Sequence, residues 1–309
     1  MRVLVSGSTG LVGSAVVREL RESGDEIVRL VRKSTDFGES EPADAPADEQ
    51  AQWDPESGEI DAAGLKGLDA VVHLAGQNIA AGRWDADMKR RISESRVEGT
   101  KLLCETLAAR DNKPKVLVCA SAIGIYGDRG EALLDESSAS ADSFLANVCR
   151  DWEQATTPAR EAGIRVVNLR IGVVISSKGG ALEKMLKPFR FCVGGVVGSG
   201  QQWWSWIALD DVAGVVRFVI ENESLSGPVN TVSPNAVTNR DFTKTLGRVL
   251  FRPTILPLPA FVVRALMGEM GNELLLASTL VVPKKLQAAG YKYQCPTLKT
   301  ALKRALGRA

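Results

Sequence analysis

A glycine loop near the start of the chain limits its fold more than any other feature. A β-branched run, RVLVS at 2–6, leads straight into Gly7-Ser8-Thr9-Gly10-Leu11-Val12-Gly13. Helical spacing follows over 13–23, with Ala15, Val16 and Leu20 apolar. Strand, G-x-x-G-x-x-G and helix, in that order, make a turn whose backbone N–H groups can meet a pyrophosphate at the helix N-terminus. Two glycines permit the tight turn and the close approach; the third lets helix and strand pack together. A bare glycine motif is weak, but this one has the strand–turn–helix context that the mechanism requires. Gly7, Thr9, Gly10, Leu11, Val12 and Gly13 are therefore expected to contact a dinucleotide.

The same alternation continues downstream. Near-continuous apolar runs at 26–31, 69–75, 116–120 and 165–169 read as strands, with helical stretches at 85–110 and 143–162 between them. Such strands are buried on both faces, which predicts an α/β fold with a doubly wound parallel sheet. Residues 35–59 interrupt the rhythm; rich in acids, Ala, Ser and Pro, most of them read as an exposed loop. After residue 175, Lys178-Gly179-Gly180, Gly194-Gly195 and Gly198-Ser199-Gly200 suggest loops over a cleft. A strand edge and helix at 207–220, a strand at 228–232 and helices at 238–250, 260–277 and 283–289 complete the reading. Residues 1–175 and 206–235 are assigned to a dinucleotide-binding Rossmann domain. Residues 176–205 and 236–309 are assigned to a smaller C-terminal α/β substrate domain.

The end of the second strand selects the cofactor. An NAD site usually carries an acid there for the ribose 2′-OH. This chain has Val31-Arg32-Lys33. Two cations favour the 2′-phosphate of NADP(H), and no acid rejects it; the alternative for Arg32 is a plain surface residue. Leu74-Ala75-Gly76 ends the third clear strand, where small residues let a cofactor lie close. His73, the one histidine, sits inside that apolar strand and reads as a packed residue rather than a base.

Composition excludes several other classes. Lys+Arg (38) and Asp+Glu (37) nearly cancel, so no global field draws in nucleic acid or an anionic membrane. No basic stripe with interleaved aromatics is present. The apolar stretch at 256–277 contains Arg264, Glu269 and Glu273 and is a poor membrane span. Five scattered cysteines without a C-x-x-C pair read as reduced thiols, and the N-terminus resembles no signal peptide, so a cytoplasmic protein is expected. One histidine and isolated cysteines disfavour a metal site. No G-x-S-x-G elbow supports a serine hydrolase.

Further segments carry a family resemblance. Ser95-Arg96-Val97-Glu98-Gly99-Thr100 and Ser121-Ala122-Ile123-Gly124-Ile125-Tyr126-Gly127 join the glycine loop in resembling the extended short-chain dehydrogenase/reductases. Gly198-Ser199-Gly200-Gln201-Gln202-Trp203-Trp204-Ser205-Trp206-Ile207 and PKKLQAAGY at 283–291 narrow the resemblance to the atypical epimerase-family proteins, which share a characteristic C-terminal domain. The likeness runs over essentially the whole chain. It implies that the C-terminal domain folds over the Rossmann domain and that Arg96 lies near the cofactor. Arg96 there either pairs with phosphate or makes a surface ion pair. It also implies that the turn at 170–174, including Val174, faces the nicotinamide.

The resemblance fails at the usual catalytic residues. Ordinary members use a Ser or Thr, a Tyr as acid/base, and a Lys four residues after that Tyr. Here the Ser/Thr place, four residues before Tyr126, is Ala122. The Y-x-x-x-K region reads DSFLANVCRDWE, with Phe144 or Leu145 in the tyrosine's place and Val148 or Cys149 in the lysine's. A developing oxyanion then lacks its ordinary proton source. Ser121 and Tyr126 are weak substitutes, each with a structural alternative. Cys149, Asn147 and Lys178 have no firm geometry, and Asp210-Asp211 read as helix caps. Trp203, Trp204 and Trp206 line either an apolar substrate pocket or an interdomain core.

Two functions follow from the sequence. One is an NADP(H)-dependent oxidoreductase or epimerase of unusual mechanism, acting on a small molecule. The other is a non-catalytic NADP(H)-binding redox sensor or scaffold. A monomer or homodimer is expected.

Overall fold

Successive side chains of a strand point to opposite faces, and the first strand shows what that does here. Val3 and Val5 enter one apolar cluster and Leu4 enters another. Both clusters are fully buried, so the sheet is covered on both sides. The computed structural model describes residues 1–32 and 48–308; Lys33 and the first part of the 35–59 segment lie outside them.

The first half of the chain contains β1 (Arg2–Ser6), α1 (Leu11–Glu22), β2 (Glu26–Arg32), β3 (Glu49–Asp54), β4 (Glu59–Ile60), β5 (Ala70–His73), α2 (Ala86–Ala108) and β6 (Val116–Ala122). It continues with β7 (Leu133–Leu134), α3 (Phe144–Gln154), α4 (Thr157–Glu161), β8 (Arg165–Ile171) and β9 (Val173–Ile175). The second half adds α5 (Gly180–Arg190), β10 (Trp203–Trp204), β11 (Trp206–Ala208), α6 (Leu209–Glu221), β12 (Gly227–Thr231), β13 (Val237–Thr238) and α7 (Asn239–Leu250). It ends with α8 (Ala260–Met267), α9 (Glu269–Gly271), β14 (Leu280–Val281), α10 (Lys284–Ala288) and α11 (Leu298–Ala305).

The central sheet has the order β12-β8-β6-β5-β1-β2-β3-β4. Its pairings are parallel except the last, where β4 runs antiparallel to β3. The expected α/β doubly wound sheet is what the chain forms. α1 and α6 cover one face through Val16, Leu20, Val215 and Val219. α2 and α4 cover the other through Leu103, Leu107 and Ala159. From β1 the chain winds outward to β2 and β3, then returns to place β5 on β1's other side. Strand order therefore reverses between β1 and β5, and a crevice opens at their carboxyl ends. A third apolar cluster, including Leu182, Phe189, Trp204, Trp206, Phe242 and Leu302, is built largely from the second half of the chain.

Several elements differ from the sequence reading. Residues 49–54 were expected to be loop but form β3. Ala51 and Trp53 are buried while Gln50 and Gln52 face out, a period-2 pattern hidden among acids. The helix expected over 143–162 is divided into α3 and α4. Pro158, which has no N–H to continue a helix, sits in α4's first turn, where none is needed. The helix expected over 260–277 breaks at Gly268, whose φ is +58°. The glycine turn at 178–180 opens a helix, α5, rather than a long loop.

Candidate cofactor and substrate cleft

The glycine loop fits its expected task through three separate constraints. Gly7 has φ +66°, and a Cβ there would meet Leu74 C at 2.8 Å and Ala75 N at 2.9 Å. Gly13 lies so close beneath the loop that a Cβ would stand 2.0 Å from Gly7 O. Gly10 begins α1 without a side-chain cap, and no acid occupies the first turn. The first N–H groups of that helix are thus left for an incoming anion. Thr9, Gly10 and Leu11 line the cleft, whereas Val12 packs against the core behind it.

β2 ends with Val31 buried and Arg32 exposed at the strand's carboxyl end. Lys33 lies outside the described residues. Across the crevice, the backbone N–H groups of Leu74 and Ala75 donate to Ser6 Oγ at 3.1 and 3.3 Å. Ser6 Oγ also lies 2.7 Å from His73 Nδ1. His73 is wholly buried and edge-on to Trp53 at 5.8 Å. Desolvation lowers its pKa to about 4, so the ring is neutral at physiological pH. It packs, as its apolar strand suggested.

Arg96 arrives from α2. A Cβ on Gly76 would lie 3.3 Å from its Cζ, and its guanidinium stands 5.0 Å from the Trp152 ring centre. Nη1 donates to Ile92 O at 3.0 Å. Among the described residues no carboxylate pairs with it, so the surface ion pair weighed from sequence is not formed. Burial lowers its pKa. A half-buried cation without an acid, beside the crevice, suits a phosphate-bearing ligand.

The place of the missing triad is apolar. Ala122, Gly124 and Leu145 line the cleft. Phe144 turns away, edge-on to Trp84 at 5.1 Å. Of the two residues expected at the tyrosine's place, Leu145 is the one that lines the cleft, and Cys149 follows it four residues later. Cys149 is buried, and burial pushes its thiol up to about 12, far from a reactive thiolate. Neither weak substitute reaches the cleft. Ser121 is buried and donates to Glu153 Oε1 at 2.8 Å. Tyr126 is fully buried; its hydroxyl donates to Asn230 Oδ1 at 2.7 Å and accepts from Arg170 Nη1 at 2.9 Å. Arg170 closes this network on Glu153 through bonds of 2.8 and 2.9 Å. Both hydroxyls thus serve a buried network behind the cleft, which removes the geometric basis for a catalytic role.

The other sequence candidates also find places. Asn147 bonds to Asp142 at 3.3 Å, and Lys178 lines the cleft. Asp210 pairs with Arg18 at 3.2 Å and Arg304 at 2.6 Å. Asp211 is buried and accepts the N–H groups of Gln294 and Cys295 at 2.7 and 3.0 Å. Instead of capping α6, it fastens the C-terminal segment. Residues 170–174, expected as a turn, instead run from β8 into β9 with only Gly172 between the strands, and Ile171, Gly172, Val173 and Val174 line the cleft. A Cβ on Gly172 would lie 2.7 Å from Ser205 O, so strand-to-strand approach there requires glycine.

The cleft as a whole, from Thr9 and Gly10 to Leu258 and Met267, encloses about 1470 Å³. Trp203, Trp204, Leu258, Met267, Leu274 and Leu275 give its distal wall an apolar character. Trp206 is core, with its indole N–H donating to Asn235 O at 2.9 Å. Sequence reasoning placed Gly179 and Gly180 over a cleft but missed the role of one lining residue, Glu273. Gly179 and Gly180 at the start of α5 face the Leu11 side chain, at 3.5 and 3.3 Å from their Cβ positions. Glu273, read only as a charge interrupting an apolar run, also lines the cavity. Among the described residues no cluster of three or more metal-binding side chains occurs, and no helix is long and apolar enough to cross a membrane.

Comparison with known proteins agrees with this geometry. The model of the NAD dependent epimerase/dehydratase family matches residues 3–232, and that of a domain of unknown function, DUF1731, matches residues 258–305. An epimerase family protein of Mycobacterium leprae is 39% identical over 306 residues, covering 99% of this chain and 96% of its own. The human epimerase family protein SDR39U1 is 36% identical over 306 residues, covering 98% of this chain and 99% of its own. The crystal structure of human SDR39U1 isoform 2 with NADPH superposes with a TM-score of 0.87 at 33% identity, covering 100% of both chains. A Thermus thermophilus UDP-glucose 4-epimerase in complex with NAD superposes with a TM-score of 0.77 at 20% identity over 100% of this chain and 98% of its own, a likeness of fold alone. Matched along nearly its whole length, the chain belongs to the NAD dependent epimerase/dehydratase family, with the DUF1731 domain at its C-terminal end.

Proposed function

We propose that this chain binds NADP(H) across the β1–β5 crevice and exchanges hydride with an apolar carbonyl or alcohol substrate in the adjoining cavity. One observation carries the cofactor reading: an uncapped, acid-free helix start above Gly7 and Gly13, with Arg32 where an NAD site keeps an acid. The human relative crystallised with NADPH supports it. In this reading the first N–H groups of α1 hold the pyrophosphate and Arg32 holds the 2′-phosphate. Arg96 supplies a further cation, and the 171–174 segment flanks the nicotinamide. The bound cofactor supplies or accepts hydride at its nicotinamide ring. The apolar distal wall excludes water and favours a substrate without a second phosphate group. Five cysteines, all free, fit a reducing, cytoplasmic setting.

Engagement of the Ser121 and Tyr126 hydroxyls in a buried network favours a second reading, a non-catalytic NADP(H) sensor. It requires that the two redox forms shift a conformation or partner affinity differently. One experiment separates the readings. NADPH deuterated at its transferable position is incubated with the protein and a cytosolic metabolite extract. Deuterium appearing in a metabolite establishes the oxidoreductase and identifies its substrate. Tight binding without transfer favours the sensor. Absence of binding refutes both.

A further inference from the structure

With Leu145 in the tyrosine's place, the cleft needs another group to move a proton. One side chain at that end is built for it. Glu273, from the C-terminal region, reaches across to the start of α3. Its Oε2 accepts from Ser143 Oγ at 2.9 Å and from Leu145 N at 3.1 Å. The carboxylate is thereby fixed on the backbone of the very residue that replaces the tyrosine. Its other oxygen, Oε1, has no protein partner among the described residues, and Glu273 lines the cavity with Ala122, Gly124 and Leu145. Three other polar side chains of the cavity wall are engaged elsewhere. Thr279 Oγ1 donates to Gly127 O at 3.0 Å, Ser205 Oγ donates to Thr279 O at 2.8 Å, and Asn239 Oδ1 accepts from Val197 N at 2.9 Å.

We infer that Glu273 is the acid/base of this cleft, receiving a proton from a substrate alcohol or giving one to a substrate carbonyl. The inference rests on the proposed hydride exchange. In the reducing direction, hydride leaves NADPH with both bonding electrons and forms a C–H bond at the carbonyl carbon. The C=O π pair moves to oxygen, which takes the proton from the Glu273 carboxyl and becomes a hydroxyl. NADPH is oxidised to NADP⁺, the carbonyl is reduced, and solvent returns a proton to the carboxylate.

The competing role is a structural tie between the C-terminal region and the start of α3. Glu273→Gln separates the two, because the amide oxygen can still accept from Ser143 and Leu145 but the side chain cannot cycle a proton. The full chain is tested with deuterated NADPH and the metabolite extract. Positioned general acids contribute about 10²- to 10⁴-fold, so Glu273→Gln should slow transfer at least about a hundredfold. NADPH affinity and melting temperature should stay at wild-type values, and Glu273→Asp should retain part of the rate. Glu269→Gln, which loses only an exposed pairing with Lys89 of α2, controls for loss of a tie from the C-terminal region and should transfer normally. A readout independent of turnover is the carboxyl ¹³C signal that Glu273→Gln removes. In the wild-type NADP⁺ complex it should shift on adding the substrate alcohol identified by the transfer. Near-wild-type transfer by Glu273→Gln, or a signal unmoved by that alcohol, overturns the assignment. A wild-type protein that binds NADPH but transfers nothing overturns the hydride reading and this inference with it.

Discussion

Replacing Gly13 with alanine sets local propensity against loop geometry. Alanine is better than glycine inside a helix by about 0.5–1 kcal/mol, so helix propensity alone predicts a more stable protein. The structure predicts the reverse. A Cβ at residue 13 would stand 2.0 Å from Gly7 O and 2.8 Å from Gly7 C. Ordinary C···O contacts lie at about 3.3 Å or more, so loop and helix must part by roughly 1.3 Å. Overpacking of this kind costs about 1–3 kcal/mol. Set against the propensity gain, a net loss of about 1–2 kcal/mol is expected, or roughly 2–8 °C in melting temperature. The same displacement carries the first N–H groups of α1 away from the pyrophosphate. A hydrogen bond to a charged group contributes about 1.5–3 kcal/mol, so NADPH affinity should fall by about tenfold or more. Calorimetry and fluorescence titration measure both quantities. A Gly13→Ala protein that melts higher and binds NADPH as tightly as the wild type would refute the reasoning.

Three further outcomes are expected. Arg32→Ala should weaken NADPH binding roughly ten- to hundredfold while leaving NADH nearly unchanged, and equal losses for both cofactors would detach Arg32 from the 2′-phosphate. Arg170→Met removes one partner of a buried pair and leaves Glu153 uncompensated, so a loss of about 3–5 kcal/mol is expected in urea unfolding; a change below 1 kcal/mol, to order of magnitude, would show the network to be dispensable. His73 has its folded pKa depressed to about 4, so the unfolded chain binds the extra proton first. Its contribution to stability is complete above about pH 6.5 and is lost as pH falls toward 4. As the chain has one histidine, a single imidazole NMR signal reports it; a titration midpoint near 6.5 would place that ring in solvent.

The sheet was legible because buried parallel strands write themselves as apolar runs, and β1, β2, β5, β6 and β8 all do so. β3 was not, because its two inward residues, Ala51 and Trp53, alternate with glutamines inside an acidic, proline-containing stretch. The loop from Gly7 to Gly13 could be read because each glycine answers a local steric demand. The proton-handling end of the cleft could not. Glu273 lies 128 residues from Leu145 in sequence, and only the tertiary fold brings its carboxylate to α3. Ser121 and Tyr126 misled for the opposite reason. They sit at the right sequence distance from the missing triad, but Glu153, Arg170 and Asn230 draw their hydroxyls into the interior.

The most direct test of the central claim is a paired titration of the wild-type protein with NADPH and with NADH. An acid-free β2 end with Arg32 at the ribose position predicts saturable NADPH binding and NADH binding at least about tenfold weaker. NADH binding as tightly as NADPH, or no binding of either, would contradict it.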